Sequence, residues 1–165
     1  MSFKKNKYVV IKQAIDKDLA TFVANYFSMK KQVMDTCRQA RYISPYETLL
    51  GEYEGADGQI PHTYSSYADI VMETLMLKCQ PIMEKTTGLK LNPAYTFARI
   101  YKNGDVLKRH KDRFSCEIST TLNLGGDPWA LYLEPSGEIG KKGIPVNLKP
   151  GDMLVYSGCE LEHWR

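Results

Sequence analysis

The sequence predicts an α+β fold that is mainly β, an antiparallel barrel or sandwich supported by N-terminal helices. Between residues 16 and 87 apolar side chains recur at helical spacing in two segments, and after Leu91 seven short strand-like segments alternate with turn sequences. The 165 residues, 43% of them hydrophobic and 25% charged, suit one domain with a hydrophobic core. We therefore expect a single domain over residues 1–165, with helical support and a tyrosine-rich loop in 1–90 and the β core in 91–165.

Charge and hydropathy argue against several classes of protein. The 22 lysines and arginines against 19 aspartates and glutamates leave a net charge of +3, too small an excess to favour a nucleic-acid partner. No apolar run approaches the roughly 20 residues of a membrane span, and the N-terminus lacks the apolar stretch of a secretory signal. We expect a soluble, cytoplasmic protein without membrane attachment, whose oligomeric state the sequence leaves open. The four cysteines form no Cys-x-x-Cys pair, so we expect reduced, mostly buried thiols.

The N-terminal part predicts one strand, Tyr8–Ile11, and two helices. The first helix is expected over residues 16–30, behind an aspartate cap. The second is expected over residues 66–87, with Gly88 as its stop and Pro81 kinking it or ending it early. The side chains expected to be buried are Leu19, Phe22, Val23, Tyr26 and Phe27 in the first helix, and Ile70, Val71, Leu75, Leu77 and Ile82 in the second.

Between the helices, residues 38–67 predict a long loop rich in glycine, proline and tyrosine. With Arg38, Arg41 and His62 this loop could cover an active site and grip a substrate, as long loops often do. Its tyrosines could equally serve only to pin the loop to the rest of the fold. For His62 itself we favour a surface or packing position.

The β core is predicted from short apolar segments bounded by turn residues. Turn chemistry recurs at residues 103–104, 125–128, 135–137 and 150–152. The expected strands are residues 94–101, 106–112, 117–124, 130–134, 144–148, 153–157 and 162 onward.

Two of the three histidines stand out because a carboxylate accompanies them. Asp112 lies two residues after His110, and in a strand such residues share one face while Lys111 points away. His163 falls in the last predicted strand, which a rolled-up sheet can bring close. Two histidines and one carboxylate on one face of an open site are the ligands of mononuclear non-haem Fe(II) oxygenases.

The order of motifs around these residues resembles the Fe(II)/2-oxoglutarate-dependent dioxygenases, especially their prolyl-4-hydroxylase-like branch. The resemblance covers roughly residues 95–165. It consists of a strand ending in Tyr101, the turn Asn103-Gly104, His110-Lys111-Asp112, the strand Thr121-Leu122-Asn123, the turn Pro150-Gly151-Asp152 and finally His163.

This resemblance implies a double-stranded β-helix, a jelly-roll or cupin-like barrel. It implies that His110, Asp112 and His163 hold Fe(II), and that 2-oxoglutarate and O2 are co-substrates. The implied reaction hydroxylates an organic substrate, with succinate and CO2 as co-products.

The resemblance also implies residues for 2-oxoglutarate. Tyr101 matches a position that often binds its distal carboxylate, although an ordinary core position is an equal alternative; Thr121 and Arg99 are weaker candidates. The basic residue that relatives carry about nine or ten positions after the distal histidine has no counterpart before Arg165, so we expect the last barrel strand to be missing from this sequence. Alternatively Arg165, Arg99 or Arg113 meets the carboxylate, or another chain supplies the strand.

Two functions remain open from the sequence. The favoured one is an oxygenase acting on a small molecule or a peptidyl residue, of prolyl or amino-acid type. The alternative is a cupin-like barrel that binds a metal or a ligand without catalysis, because a fold alone does not establish activity.

Overall fold

The computed structural model describes residues 2–53 and 59–165, and its element order agrees with the α+β prediction. The elements are α1 (Phe3–Asn6), β1 (Tyr8–Ile11), α2 (Lys17–Gln39), β2 (Ser65–Tyr67), α3 (Ile70–Thr87), β3 (Phe97–Arg99), a 3-10 turn (Phe114–Cys116), β4 (Ile118–Leu122), β5 (Leu131–Leu133), β6 (Ile144–Val146), β7 (Met153–Ser157) and β8 (His163–Trp164). No helix within the described ranges is long and apolar enough to cross a membrane.

The strands form three antiparallel sheets in the described part of the chain. Their strand orders are β1-β7-β4, β6-β5-β8 and β2-β3. This arrangement confirms an α+β fold built on antiparallel sheets. A closed double-stranded β-helix, and the division into 1–90 and 91–165, stay predictions.

Strand β7 is the centre of the fold because both of its faces are buried. Met153 and Val155 pack into a core shared with α2 and α3. Leu154 and Tyr156 point to the opposite face and pack into a second core with side chains of β5 and β6. The sheet of β1, β7 and β4 therefore separates a helical layer from a space between two sheets.

Helix α2 begins where the sequence indicates but continues nine residues past Lys30. Oδ1 of its cap, Asp16, accepts a hydrogen bond from the Leu19 amide at 2.7 Å. The buried side chains are Ala20, Val23, Phe27 and Met34. Phe22, predicted to be buried, is 69% exposed because it lies off this stripe.

Helix α3 begins later than predicted and continues through its proline. Residue Ser66 belongs to β2, and the helix starts at Ile70 behind Asp69, whose Oδ1 accepts from the Val71 amide at 2.9 Å. Of the two alternatives expected at Pro81, a kink or an early end, the early end is wrong, since the helix reaches Thr87.

The buried stripe of α3 also differs from the predicted one. Met72, Leu75, Cys79 and Met83 are buried, at helical spacing. The predicted core residues Ile70 and Leu77 are instead 83% and 60% exposed.

The predicted strands match the observed ones closely at β1 and β7, are longer than the observed ones elsewhere, and fail at 106–112. That segment contains only one isolated bridge, His110 with His163, and is not a strand. No ladder forms because the neighbouring backbone bonds are out of register with this bridge: the Asp112 amide donates to the Gly158 carbonyl, and the Arg165 amide donates to the Leu107 carbonyl.

Candidate metal centre

His110 and His163 lie side by side because their backbones pair. The His110 amide donates to the His163 carbonyl at 3.1 Å, and the His163 amide donates to the His110 carbonyl at 2.9 Å. Directly opposed residues of an antiparallel pair project to the same face. The two ring centroids are accordingly 4.2 Å apart, with His163 buried and His110 half-buried.

Asp112 completes the cluster from the same extended segment. Its amide donates to the Gly158 carbonyl at 2.9 Å, which ties it to the end of β7. Oδ1 of Asp112 lies 3.5 Å from Nε2 of His163 and 3.9 Å from Nε2 of His110. The three ligand atoms lie within 4.8 Å of one another, a cluster that could hold a metal ion.

Backbone carbonyls orient both imidazole rings. Nδ1 of His110 donates to the Lys108 carbonyl at 2.7 Å, and Nδ1 of His163 donates to the Leu161 carbonyl at 3.3 Å. A carbonyl only accepts, so each Nδ1 carries a proton, and in the neutral imidazole this tautomer leaves the lone pair on Nε2. Metal-binding histidines are normally held in this way by their second nitrogen.

The electrostatic surroundings of His163 favour its neutral form. Burial lowers the pKa of His163, and the neighbouring His110 lowers it further, against the opposing effect of the Asp112 carboxylate. A neutral imidazole is the form that binds a metal.

Two residues that the sequence did not identify fix the Asp112 carboxylate. The Ser119 hydroxyl donates to Oδ2 at 2.5 Å, which leaves Oδ1 directed at the histidines. Gly158 packs so closely that a Cβ atom there would lie 2.5 Å from the same Oδ2. The carboxylate is therefore held by a hydrogen bond on one side and by packing on the other.

Tyr156 joins the predicted residue Thr121 to the cluster. Its hydroxyl lies 3.3 Å from Nε2 of His163, and the Thr121 side chain is close enough to act on its pKa in the lowering direction. Burial, and then the Asp112 charge, raise the pKa of Tyr156. Tyr156 therefore remains a protonated phenol and donates to the unprotonated Nε2. Nothing in the local sequence distinguishes it from the other buried residues of β7.

Tyr101 lies in an aromatic and cationic group next to this hydroxyl network. Its ring is 5.2 Å from that of Trp129, and the Arg165 guanidinium lies 5.3 Å from Tyr101 and 5.4 Å from Trp129. Arg99 contacts Tyr101 from another side at 5.5 Å. Arg113 instead lies over Tyr95, at 4.8 Å. Of the three arginines predicted as alternatives, Arg165 and Arg99 therefore contact Tyr101.

The Arg165 side chain is half-buried. Burial lowers the pKa of its guanidinium, partly offset by Tyr101 and Tyr156. Its backbone amide donates to the Leu107 carbonyl at 3.0 Å, which fixes the end of the chain against the segment before His110. Among the residues that the structure describes, no carboxylate forms an ion pair with this guanidinium.

The tyrosine-rich loop forms a separate cleft of about 810 Å³. It is lined by Arg38, Pro45, Tyr46, Thr48, Glu52, Tyr53 and His62, and none of the three clustered ligand residues lines it. His62 is exposed, as predicted for a surface histidine. Residues 54–58 of the predicted loop lie outside the described residues.

The donor set fits a divalent first-row metal. Two imidazole nitrogens and one carboxylate oxygen on one side of an ion leave other coordination positions open, as in non-haem Fe(II) sites. Two ligand atoms that each lie about 2.1 Å from one ion are at most about 4.2 Å apart. Both nitrogen–oxygen separations are below that limit, and all three ligand atoms lie within 4.8 Å of one another, close to it.

Comparison with known proteins shows a shared fold. No family model matches the sequence, and no curated protein matches it. The crystal structure of a prolyl-4-hydroxylase from Pseudomonas putida superimposes with a TM-score of 0.60 at 16% sequence identity, over 98% of this chain and 85% of that one. At this identity the likeness shows a shared fold, and the His-Asp-His cluster is a candidate metal-binding site within it.

Proposed function

We propose that this chain is an Fe(II)- and 2-oxoglutarate-dependent oxygenase that hydroxylates an organic substrate. The observation that carries the proposal is the cluster of His110, Asp112 and His163, with both Nδ1 atoms bound to carbonyls and both Nε2 atoms facing one carboxylate oxygen. The fold shared with a prolyl-4-hydroxylase supports it independently of those distances.

In this proposal the two histidines and Asp112 hold the iron. When bound, Fe(II) supplies the activation of O2 that is coupled to oxidative decarboxylation of 2-oxoglutarate to succinate and CO2. Ser119 and Gly158 keep the Asp112 carboxylate in one orientation, so that its Oδ1 is preorganised for the ion.

Arg165 is our candidate for the distal carboxylate of 2-oxoglutarate. Burying a cation is costly unless an opposite charge accompanies it, and the described residues provide no carboxylate for Arg165. A bound dicarboxylate would remove that cost. Tyr101, whose ring contacts the guanidinium, would donate its hydroxyl to the same group.

Tyr156 and Thr121 would serve the co-substrate from the other side. The Tyr156 hydroxyl now donates to Nε2 of His163, and a metal ion on that nitrogen removes its acceptor. The freed hydroxyl can then donate to a co-substrate oxygen, with Thr121 beside the phenol. Arg99 would add positive charge beside Tyr101.

For the substrate we propose a small molecule or a peptidyl residue of prolyl or amino-acid type, and we propose a cytoplasmic location. The net charge of +3 gives no reason to add nucleic acid.

The test measures succinate formed from 2-oxoglutarate by the reduced chain with Fe(II) and O2, against a panel of prolyl peptides and free amino acids. We expect turnover by the parent chain and none by Asp112→Ala, which loses its anionic ligand but stays folded. Lys111→Ala is the matched control, because the Lys111 ammonium contacts the Gly137 carbonyl at 3.5 Å rather than the cluster. Metal binding by the parent without succinate under any condition would favour the non-catalytic metal-binding barrel.

A further inference from the structure

Two half-buried thiols flank the candidate metal centre. The expectation of mostly buried cysteines was wrong, since only Cys79 is buried and Cys37, Cys116 and Cys159 are half-buried. Cys116 ends the 3-10 turn before β4, and Cys159 comes two residues after β7. They lie on the two segments that lead away from Asp112 and toward His163.

The end of the β4–β7 pairing brings these two cysteines into neighbouring turns. Ile118 of β4 pairs with Ser157 of β7, and the Gly158 amide donates to the Glu117 carbonyl at 3.0 Å. Cys116 precedes Glu117 at the end of the 3-10 turn, and Cys159 follows Gly158 in the turn after β7, so each cysteine lies one residue from this hydrogen bond.

A shared hydrogen-bond acceptor supports this proximity. The Arg113 carbonyl accepts the Cys116 amide at 2.8 Å and the Cys159 thiol at 3.2 Å. The Cys159 sulfur therefore lies no more than about 6.0 Å from the Cys116 nitrogen.

Cys116 is half-buried, and a cation lies in its surroundings. Its thiol donates to the Tyr95 hydroxyl at 3.3 Å, and the Arg113 guanidinium lies 4.8 Å from the Tyr95 ring. Partial exposure lets a small oxidant reach the sulfur. Burial and the Asp112 charge raise the pKa of the Cys159 thiol.

We propose that Cys116 and Cys159 form a reversible disulfide when the protein meets a peroxide. The Cys116 thiolate attacks one oxygen of H2O2, the O–O bond breaks, and a sulfenic acid and hydroxide form. The Cys159 sulfur then attacks the sulfenic sulfur, its proton leaves with the departing hydroxyl, and water is released. In total the two thiols lose two electrons and two protons, and H2O2 becomes two waters. A dithiol reductant reverses the bond by exchange.

The disulfide would act on the metal centre through Ser119. The Ser119 hydroxyl lies 3.1 Å from the Cys116 carbonyl and donates to Asp112. Turning Cys116 from Tyr95 toward Cys159 moves that carbonyl and with it the support of the Asp112 carboxylate. We therefore expect oxidation to lower metal affinity by about tenfold or more. This consequence rests on the proposed metal site; the cross-link does not.

The experiment oxidises the reduced 165-residue chain with H2O2 and maps thiols by mass spectrometry. Trypsin separates the four cysteines into residues 32–38, 79–85, 114–141 and 143–165. We expect a reductant-sensitive link between 114–141 and 143–165, two hydrogens lighter than the free pair. Cys116→Ser and Cys159→Ser should each abolish it, whereas Cys37→Ser, which removes an equally half-buried thiol from α2, should retain it.

Other outcomes refute the proposal. Peroxide that oxidises Cys116 only to sulfinic acid, or links either cysteine to Cys37 as readily, excludes the assigned pair. Mn²⁺ titration of reduced and oxidised protein tests the consequence separately. Equal affinity in both forms refutes the coupling, and absence of Mn²⁺ binding by the reduced chain refutes the metal site while the cross-link result stands.

Discussion

Replacing Gly158 with alanine perturbs the candidate metal centre without removing any of its ligands. The new methyl group would lie 2.5 Å from Oδ2 of Asp112, 2.5 Å from the Cys116 carbonyl oxygen, and in contact with the Ser119 hydroxyl. Non-bonded heavy atoms normally pack at about 3.5 Å or more. The methyl must therefore displace the carboxylate and its neighbours by about 1 Å.

The cost of this displacement follows from what surrounds the methyl. Overpacking of this kind destabilises a protein by about 1–3 kcal/mol, and we expect the upper half of that range because one of the three contacts is backbone. Disturbing the groups that orient a metal ligand lowers metal affinity by about 10- to 100-fold. Both effects arise from crowding, since Gly158 needs no left-handed backbone conformation.

Urea unfolding followed by circular dichroism measures the loss of stability, and Mn²⁺ titration measures the loss of metal affinity. Gly125→Ala is the matched control: its methyl would lie 3.5 Å from the Ala24 side chain, an ordinary contact, and should change the unfolding free energy by less than about 0.5 kcal/mol. If Gly158→Ala behaved like this control in both assays, the packing described around Asp112 would be wrong.

Further predictions concern the co-substrate pocket and the helical layer. Tyr101→Phe should weaken 2-oxoglutarate binding about ten- to a hundredfold, and Arg165→Gln should weaken it at least as much. Neither variant should change Mn²⁺ affinity appreciably. Titration of each Mn²⁺-loaded variant with 2-oxoglutarate measures the loss of binding. Lys30→Met removes the partner of the buried Asp69 carboxylate, 2.5 Å away, and should cost about 3–5 kcal/mol in urea unfolding. Burial opposes ionisation of Asp69, but Lys30 and Tyr26 outweigh it and lower its pKa. Its contribution to stability should therefore be complete above the unfolded-state pKa of about 3.9 and fall as the pH drops further, which acid unfolding curves would show.

The sequence identified the elements that local chemistry determines. Strands β1 and β7 were predicted with their observed bounds, and the caps Asp16 and Gly88 were correct. Each depends on neighbours in sequence: an apolar run beside a turn, a side chain that accepts an amide, or a glycine in the left-handed conformation.

Which apolar face of a helix is buried depends on what packs against it, and here the sequence was less informative. Ile70 and Leu77 are as apolar as Leu75, yet only Leu75 lies on the stripe that meets the core. The strand predicted at 106–112 was wrong for a related reason, because the backbone bonds on either side of the His110–His163 bridge are out of register with it.

In the candidate site, too, some residues can be identified from local sequence and others depend on distant pairing. The three proposed ligands were recognisable because histidine is rare in this chain and a carboxylate stands two residues away from one of them. Ser119, Tyr156 and Gly158 support those ligands through the register of β4 against β7. Register is set by pairing across long stretches of chain, and no local motif reveals it.

The position of the cluster between two sheets gives metal binding a structural consequence. His163 belongs to β8 in the sheet β6-β5-β8, whereas Asp112 is held by Gly158 and Ser119 at the sheet β1-β7-β4. An ion bound to both residues would therefore link the two sheets. Binding to the folded state alone adds about 2.7 kcal/mol at a ligand concentration of 100 Kd, which corresponds to about 5–10 °C in Tm for a chain of this size. Thermal unfolding with and without Mn²⁺ should show that rise in the parent chain and lose it in Asp112→Ala. An equal rise in both would mean that the ion binds elsewhere on the molecule.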